Sequence, residues 1–346
     1  MNDLVFLAGF PRSGSTVLAN ILAMHPKCYA SPSSPLHSII TNMRHNWSDD
    51  SFLLSQLDHD AQGVQKRLKN STRAFMDTWA HNDKYDKMKG ESDLFVTIDK
   101  NRGWLFDLEL LRELNPNFKI IVTLRRLENI YRSIEKHHRK TLMLEFPDHM
   151  SHNLVDARAS ALFSDQGLIG SIMKALQNVG DIPDIINHIL FWRYEDFLES
   201  PQESINSVFD FINLKHVDID FDNIDQSTYE SDSYYRMKYP HKINSSLVRP
   251  KEEEAPVSPR ILNEMYTRFS WYYEQYYSTN DSEIETQKGI PNKEFRSVEP
   301  YVEPYVEPYV EPSSPKSIEQ DVVNVADLAQ QLEDLIEEEQ AKLQSK

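Results

Sequence analysis

A single cysteine, Cys28, excludes a disulfide framework within the chain and fits a reducing compartment. Long apolar runs are missing too, and none approaches the length that spans a bilayer. Met1-Asn2-Asp3 is followed at once by the short apolar run Leu4 to Phe10, without the basic region or longer apolar core of a secretory signal. A cytoplasmic protein is expected. Positive charge is also scarce. Lysine and arginine number 37 against 54 aspartates and glutamates, a formal net charge of −17. That balance argues against nucleic acid as a partner, because phosphate-backbone affinity needs a broad basic face. It leaves room for a small polyanion, which a few converging arginines and backbone amides can hold locally.

What is present is an ordinary globular composition, 40% hydrophobic and 26% charged over 346 residues. The length suits one large domain with an appendage. The chain divides near residue 280, and much of the acidity lies beyond that point. Glu-Pro-Tyr-Val recurs three times from Glu299 to Val310. Proline every fourth residue excludes a regular helix or an interior strand, so residues 281–316 read as an extended linker. Residues 317–346 place Val325, Leu328, Leu332 and Leu335 on one stripe of an acidic helix. Two readings stay open for it: a helix that docks a partner or a second copy of the chain, and a solvated tail.

Residues 1–280 read as alternating strands and helices. Strands are expected at Leu4 to Gly9, Leu94 to Ile98, Phe118 to Leu124 and Ile189 to Tyr194. Helical spacing follows each: Val17, Leu18, Ile21 and Leu22; Leu105, Leu108, Leu111 and Leu114; Leu127, Ile130, Tyr131 and Ile134; and Ile205, Val208, Phe209 and Ile212. Ser200-Pro201-Gln202-Glu203 has the form of a capping box with proline at the first helical position. The pattern predicts a three-layer α/β domain with a mostly parallel central sheet, whose ligands sit at the carboxyl ends of the strands.

The residues that carry chemistry fall at those ends. Gly9-Phe10-Pro11-Arg12-Ser13-Gly14-Ser15-Thr16 has the frame of a phosphate-binding P-loop, with glycines five apart and Ser-Thr after the second. The lysine of the ATP-binding form is absent: Ser15 stands in its place, and Arg12 is the only cation of the loop. That departure argues against a kinase. Arg125 ends the third strand with Ser133 eight residues on, and Asp99-Lys100-Asn101-Arg102-Gly103-Trp104 follows the second.

Gly9 to Leu18 resembles the 5′-phosphosulfate loop of the sulfotransferases that use 3′-phosphoadenosine 5′-phosphosulfate (PAPS), in the Pro-Arg-Ser-Gly form of tyrosylprotein and bacterial members. The resemblance runs over about residues 4–215. It implies that Arg12 contacts the 5′-phosphate and sulfuryl group, and that Ser13, Gly14, Ser15 and Thr16 cradle the phosphate. It implies that Arg125 and Ser133 hold the 3′-phosphate, and that Lys100 stabilises charge on the sulfuryl group or the leaving phosphate. Phe191-Trp192-Arg193-Tyr194-Glu195-Asp196 resembles a strand end at which a tyrosine, here Tyr194, lies near the nucleotide. A late loop over the adenosine maps loosely onto Tyr234 to Lys242, with Lys242 as its cation.

The chain departs from the family at the general base. The glutamate of the tyrosylprotein enzymes falls at Ser33 here, and the histidine of the cytosolic ones at Arg102. His37 is the nearest substitute and Asp99 the next; His137 and His138 read as solvated. The expected activity is metal-free, in-line sulfuryl transfer from PAPS to a hydroxyl-bearing acceptor, leaving 3′-phosphoadenosine 5′-phosphate (PAP). A P-loop-like nucleotide or small-molecule kinase and a non-catalytic PAPS-binding protein are the alternatives. The polar segment from Asn42 to Gly90 is expected to build part of the acceptor side.

Overall fold

Short apolar runs separated by helices give five strands: β1 Leu4–Gly9, β2 Cys28–Ser33, β3 Val96–Lys100, β4 Lys119–Leu124 and β5 Ile189–Arg193. The computed structural model describes residues 4–80, 95–141, 155–227, 243–247 and 257–277. The Glu-Pro-Tyr-Val linker, the acidic helix and Lys242 lie outside the described residues. The strands form one sheet in the order β2-β3-β1-β4-β5, and every described pairing is parallel. Register is fixed at the centre by Leu7↔Lys100 on one side of β1 and Gly9↔Thr123 on the other.

The helices are α1 Ser15–Ala23, α2 Leu36–Asp49, α3 Ser51–Ala80, α4 Leu108–Leu114, α5 Leu127–Thr141, α6 Val155–Phe163, α7 Gly170–Val179, α8 Tyr194–Glu199, α9 Pro201–Phe211, α10 Pro259–Arg268 and α11 Ser270–Tyr277. They cover both faces of the sheet. Leu4, Phe6 and Ala8 of β1 join a core shared with α2 to α7, α10 and α11, while Val5 and Leu7 join one shared with α1, α8 and α9. Alternation along a strand sends neighbours to opposite faces, so both faces must be apolar; this is why β1 and β4 read as unbroken hydrophobic runs. Phe6, Leu7, Ile120 and Val122 are fully buried. Among the described residues no helix is long and apolar enough to cross a membrane.

Several boundaries differ from expectation for local reasons. The second strand runs on to Lys100, because pairing with Leu7 carries Asp99 and Lys100 into the ladder and buries both. Tyr194 is not the last residue of β5 but the first of α8. The helix expected through Leu105 is split, with a 3₁₀ turn over Arg102–Phe106 and α4 beginning after Asp107. Pro201 opens α9 as expected, yet the Ser200 side chain makes no capping bond, since Ser200 is the joint between α8 and α9. The fifth strand, β2, reads as a turn in sequence because it contains Ser31-Pro32-Ser33. It lies at the sheet edge, where a missing amide is tolerated. Its register with β3 shifts between Ala30 and Ser33, and the Lys100 amide donates to Ser31 Oγ at 3.1 Å.

The connection from β1 runs to β2 on one side and that from β4 to β5 on the other. Where crossovers part in this way, the strand ends leave a crevice. Here the carboxyl ends of β1 and β4 bound it.

Candidate functional site

The loop after β1 is folded around a buried hydroxyl. Ser13 has no exposed surface; its Oγ donates to the Phe10 carbonyl at 2.6 Å and lies 2.6 Å from Thr123 Oγ1 on β4. The Ser13 side chain therefore braces the loop and leaves only its amide for a ligand. Gly9 has φ 128°, and a Cβ there would stand 2.3 Å from the Thr123 carbonyl. Gly14 has φ 89°, with the Tyr194 ring 2.5 Å from where its Cβ would be. Arg12, between them, also has positive φ, 60°. A left-handed non-glycine residue costs about 1–2 kcal/mol, here spent on turning the Arg12 side chain out of the loop. At Ser15 α1 begins with no side-chain cap. Ser15 and Thr16 thus present first-turn amides at the positive end of a helix.

Arg12 meets α5. Its Nε donates to Ser133 Oγ at 3.1 Å and its terminal nitrogen to His137 Nε2 at 3.0 Å. Arg125, at the end of β4, donates to the Arg12 carbonyl at 2.7 Å, and its guanidinium lies 4.7 Å from the Tyr194 ring centre. The Arg125 Nε is buried and has no hydrogen-bond partner among the described residues. Burial pushes the Tyr194 phenol up, against a smaller downward pull from Arg125. Lys100 is buried, and its Nζ donates to Thr16 Oγ1 at 3.3 Å, in the first turn of α1. Arg12, Gly14, Arg125, Ser133 and Tyr194 thus form one contact set, with Lys100 beside it through Thr16.

His37 belongs to another set. Its Nε2 is 2.7 Å from Asp107 Oδ2, its Nδ1 edge packs on Gly103, and its ring meets Trp104 edge-on at 5.0 Å. Arg44 approaches the other Asp107 oxygen at 3.7 Å. Asp99 is buried and accepts from Trp104 Nε1 at 2.7 Å; burial raises its carboxyl pKa. The two histidines expected to be solvated are not: His138 is buried, and His137 lies on Arg12.

A second layer holds the turn that carries Arg125. The Tyr272 hydroxyl donates to the Arg125 carbonyl at 3.0 Å. Glu195 accepts from the Arg126 amide at 3.0 Å and from the Tyr277 hydroxyl at 3.1 Å. Tyr273 donates to Glu128 at 2.6 Å. Tyr272, Tyr273, Tyr277 and Glu128 carry no motif in the sequence. The available signal was the aromatic run Trp271-Tyr272-Tyr273 and Tyr276-Tyr277 on α11.

A model described as "Sulfotransferase family" matches residues 4–218, more than half of the chain and every described strand. The chain belongs to the sulfotransferase family. No curated protein matches this sulfotransferase. Among solved structures, it is similar to a sulfotransferase domain from the Synechococcus PCC 7002 olefin synthase, at 18% identity over 61% of this chain and 74% of that one, with a TM-score of 0.37. It is also similar to a sulfotransferase from Alicyclobacillus acidocaldarius, at 13% identity over 68% and 88% of the two chains, TM-score 0.38. A third is the mouse sulfotransferase SULT7A1 complexed with PAP, at 12% identity over 80% and 86%, TM-score 0.39.

Proposed function

We propose that this sulfotransferase moves a sulfuryl group from PAPS to an acceptor hydroxyl, with its donor seat between the carboxyl ends of β1 and β4. The observation that carries the reading is that Arg125, just after β4, donates to the backbone carbonyl of Arg12, in the loop after β1, next to a helix start without a side-chain cap. Two features fit a phosphorylated ligand. The Arg125 Nε is a buried donor without a partner among the described residues, and Gly14 keeps the loop backbone open at the start of α1.

PAPS, when bound, supplies an activated sulfuryl group on a phosphate leaving group. Arg12 and the amides of Ser13, Gly14, Ser15 and Thr16 would hold the 5′-phosphate, with Arg12 reaching the sulfuryl oxygens. Arg125 and Ser133 would hold the 3′-phosphate, and Tyr194, packed on Gly14 and Arg125, would border the nucleotide. Lys100 would place a compact positive charge where the leaving phosphate develops charge. His37 is proposed as the base. Lys242 is proposed for the adenosine side from the sequence match alone. Residues 281–316 are proposed as a spacer and 317–346 as a docking helix, from the proline repeat and the apolar stripe in their sequence.

The test is calorimetric titration with PAP against ATP and Mg²⁺. Tight PAP binding supports the reading; preference for ATP overturns it in favour of a kinase. A non-catalytic PAPS-binding protein is the second reading, favoured by the engagement of both His37 and Asp99. Undetectable turnover over a broad acceptor panel, with PAP affinity intact, would select it.

A further inference from the structure

Ser133 and His137 stand four residues apart on α5, so they share one helix face. Both are occupied by the same guanidinium, that of Arg12, at 3.1 and 3.0 Å. A guanidinium only donates, so in each bond the partner on α5 is the acceptor. His137 therefore accepts at Nε2 and carries its ring proton on Nδ1.

The chemistry of these two acceptors is unusual for an arginine seat. A carboxylate would grip Arg12 more strongly but would repel any phosphate entering the same space. A serine hydroxyl turns from acceptor to donor by rotating its proton. An imidazole does so by moving its proton from Nδ1 to Nε2. Both residues can thus face a cation in one state and an anion in the next.

We infer that His137 is a further donor-binding residue, which accepts from Arg12 in the free protein and donates through Nε2 to the 3′-phosphate of a nucleoside 3′,5′-bisphosphate in the loaded one. The inference rests on the PAPS reading above. Arg12, turning to the 5′-phosphosulfate, releases Ser133 and His137 together, and the two reverse polarity toward the phosphate that Arg125 also faces. No covalent step is involved.

The test compares PAP with AMP, which lacks the 3′-phosphate, by calorimetry on the full chain. His137→Ala is expected to lower PAP affinity about tenfold, as for one hydrogen bond to a charged group, and to leave AMP affinity unchanged. His137→Gln, whose amide can also donate or accept, is expected to recover most of the loss and guards against misfolding as the cause. If PAP and AMP weaken in equal measure, or PAP does not weaken, His137 only parks Arg12 and the inference fails while the PAPS reading stands. If the unmodified protein itself shows no preference for PAP over AMP, the PAPS reading falls and takes this inference with it.

Discussion

The Arg125 guanidinium donates to the backbone carbonyl of Arg12 at 2.7 Å. The loop after β1 and the turn after β4 are thereby tied across the crevice. Arg125 has two duties, one toward the loop and one, in the proposed function, toward a phosphate. Arg125→Ala is expected to weaken PAP binding by about tenfold to a hundredfold, the range for losing a charged hydrogen bond. Arg125→Lys should recover only part of this, because an ammonium cannot bridge carbonyl and phosphate as a planar fork does. Titration of both variants with PAP checks the prediction; unchanged affinity in Arg125→Ala would sink it.

Gly14 is the tightest point of the loop. Gly14→Ala would put a methyl carbon 2.5 Å from the Tyr194 ring at φ 89°. The expected outcome is a stability loss of about 1–3 kcal/mol together with weaker PAP binding. Denaturant unfolding and calorimetry measure the two separately. Preserved stability and affinity would show that the Tyr194 ring can move aside at no cost.

Tyr272 holds Arg125 from behind and is fully buried. Tyr272→Phe removes only the hydroxyl, leaving the Arg125 carbonyl without that donor. A loss of about 1 kcal/mol is expected, or a Tm roughly 2–4 °C lower. PAP affinity should fall as well, since the turn after β4 loses one of its braces. A fall in Tm without any change in affinity would make Tyr272 a packing residue alone.

His25 links α1 to β2. Its Nδ1 accepts from the Lys27 amide at 3.0 Å, and its Nε2 donates to the Lys215 carbonyl at 3.1 Å. Burial holds its pKa below the ordinary value, Lys27 adds to the depression, and the bond to Lys215 opposes it. The unfolded chain therefore binds this proton first as pH falls. The contribution of His25 is fully present above pH ~6.5 and is lost on acidification below it. Tm measured from pH 8 to pH 5 should fall more steeply in the unmodified protein than in His25→Gln. Parallel curves would remove His25 from the acid response.

How much of this is legible in the sequence depends on the kind of signal. Four of the five strands announce themselves as apolar runs: β1, β3 and β4 are buried on both faces, and β5, the second edge strand, buries Ile189 and Trp192. β2 does not, since an edge strand tolerates Ser31-Pro32-Ser33, which reads as a turn. The loop from Gly9 to Thr16 is legible because positive φ values call for glycine at Gly9 and Gly14. Arg12, unfavourable at φ 60°, carries no such mark. The meeting of Arg12 with Ser133 spans 121 residues, so no local pattern encodes it; only a family resemblance suggests the two belong together. His137 is invisible for the same reason. Its half-buried place on Arg12 is set by where β1 and β4 end, and a charged helix such as Glu135 to Lys140 looks solvated until its neighbours are known. The tyrosine helix α11 shows composition without position, and only the fold reveals that its hydroxyls reach Arg125, Glu128 and Glu195.

The edge at β2 has a consequence for the molecule among its own copies. An open strand edge is a template on which another chain can zip itself by backbone hydrogen bonding. Pro32, next to last in the strand, offers no amide, and the shifted register between Ala30 and Ser33 breaks the spacing a partner strand would need. The protein thereby makes this side of its sheet a poor template for fibril-like growth.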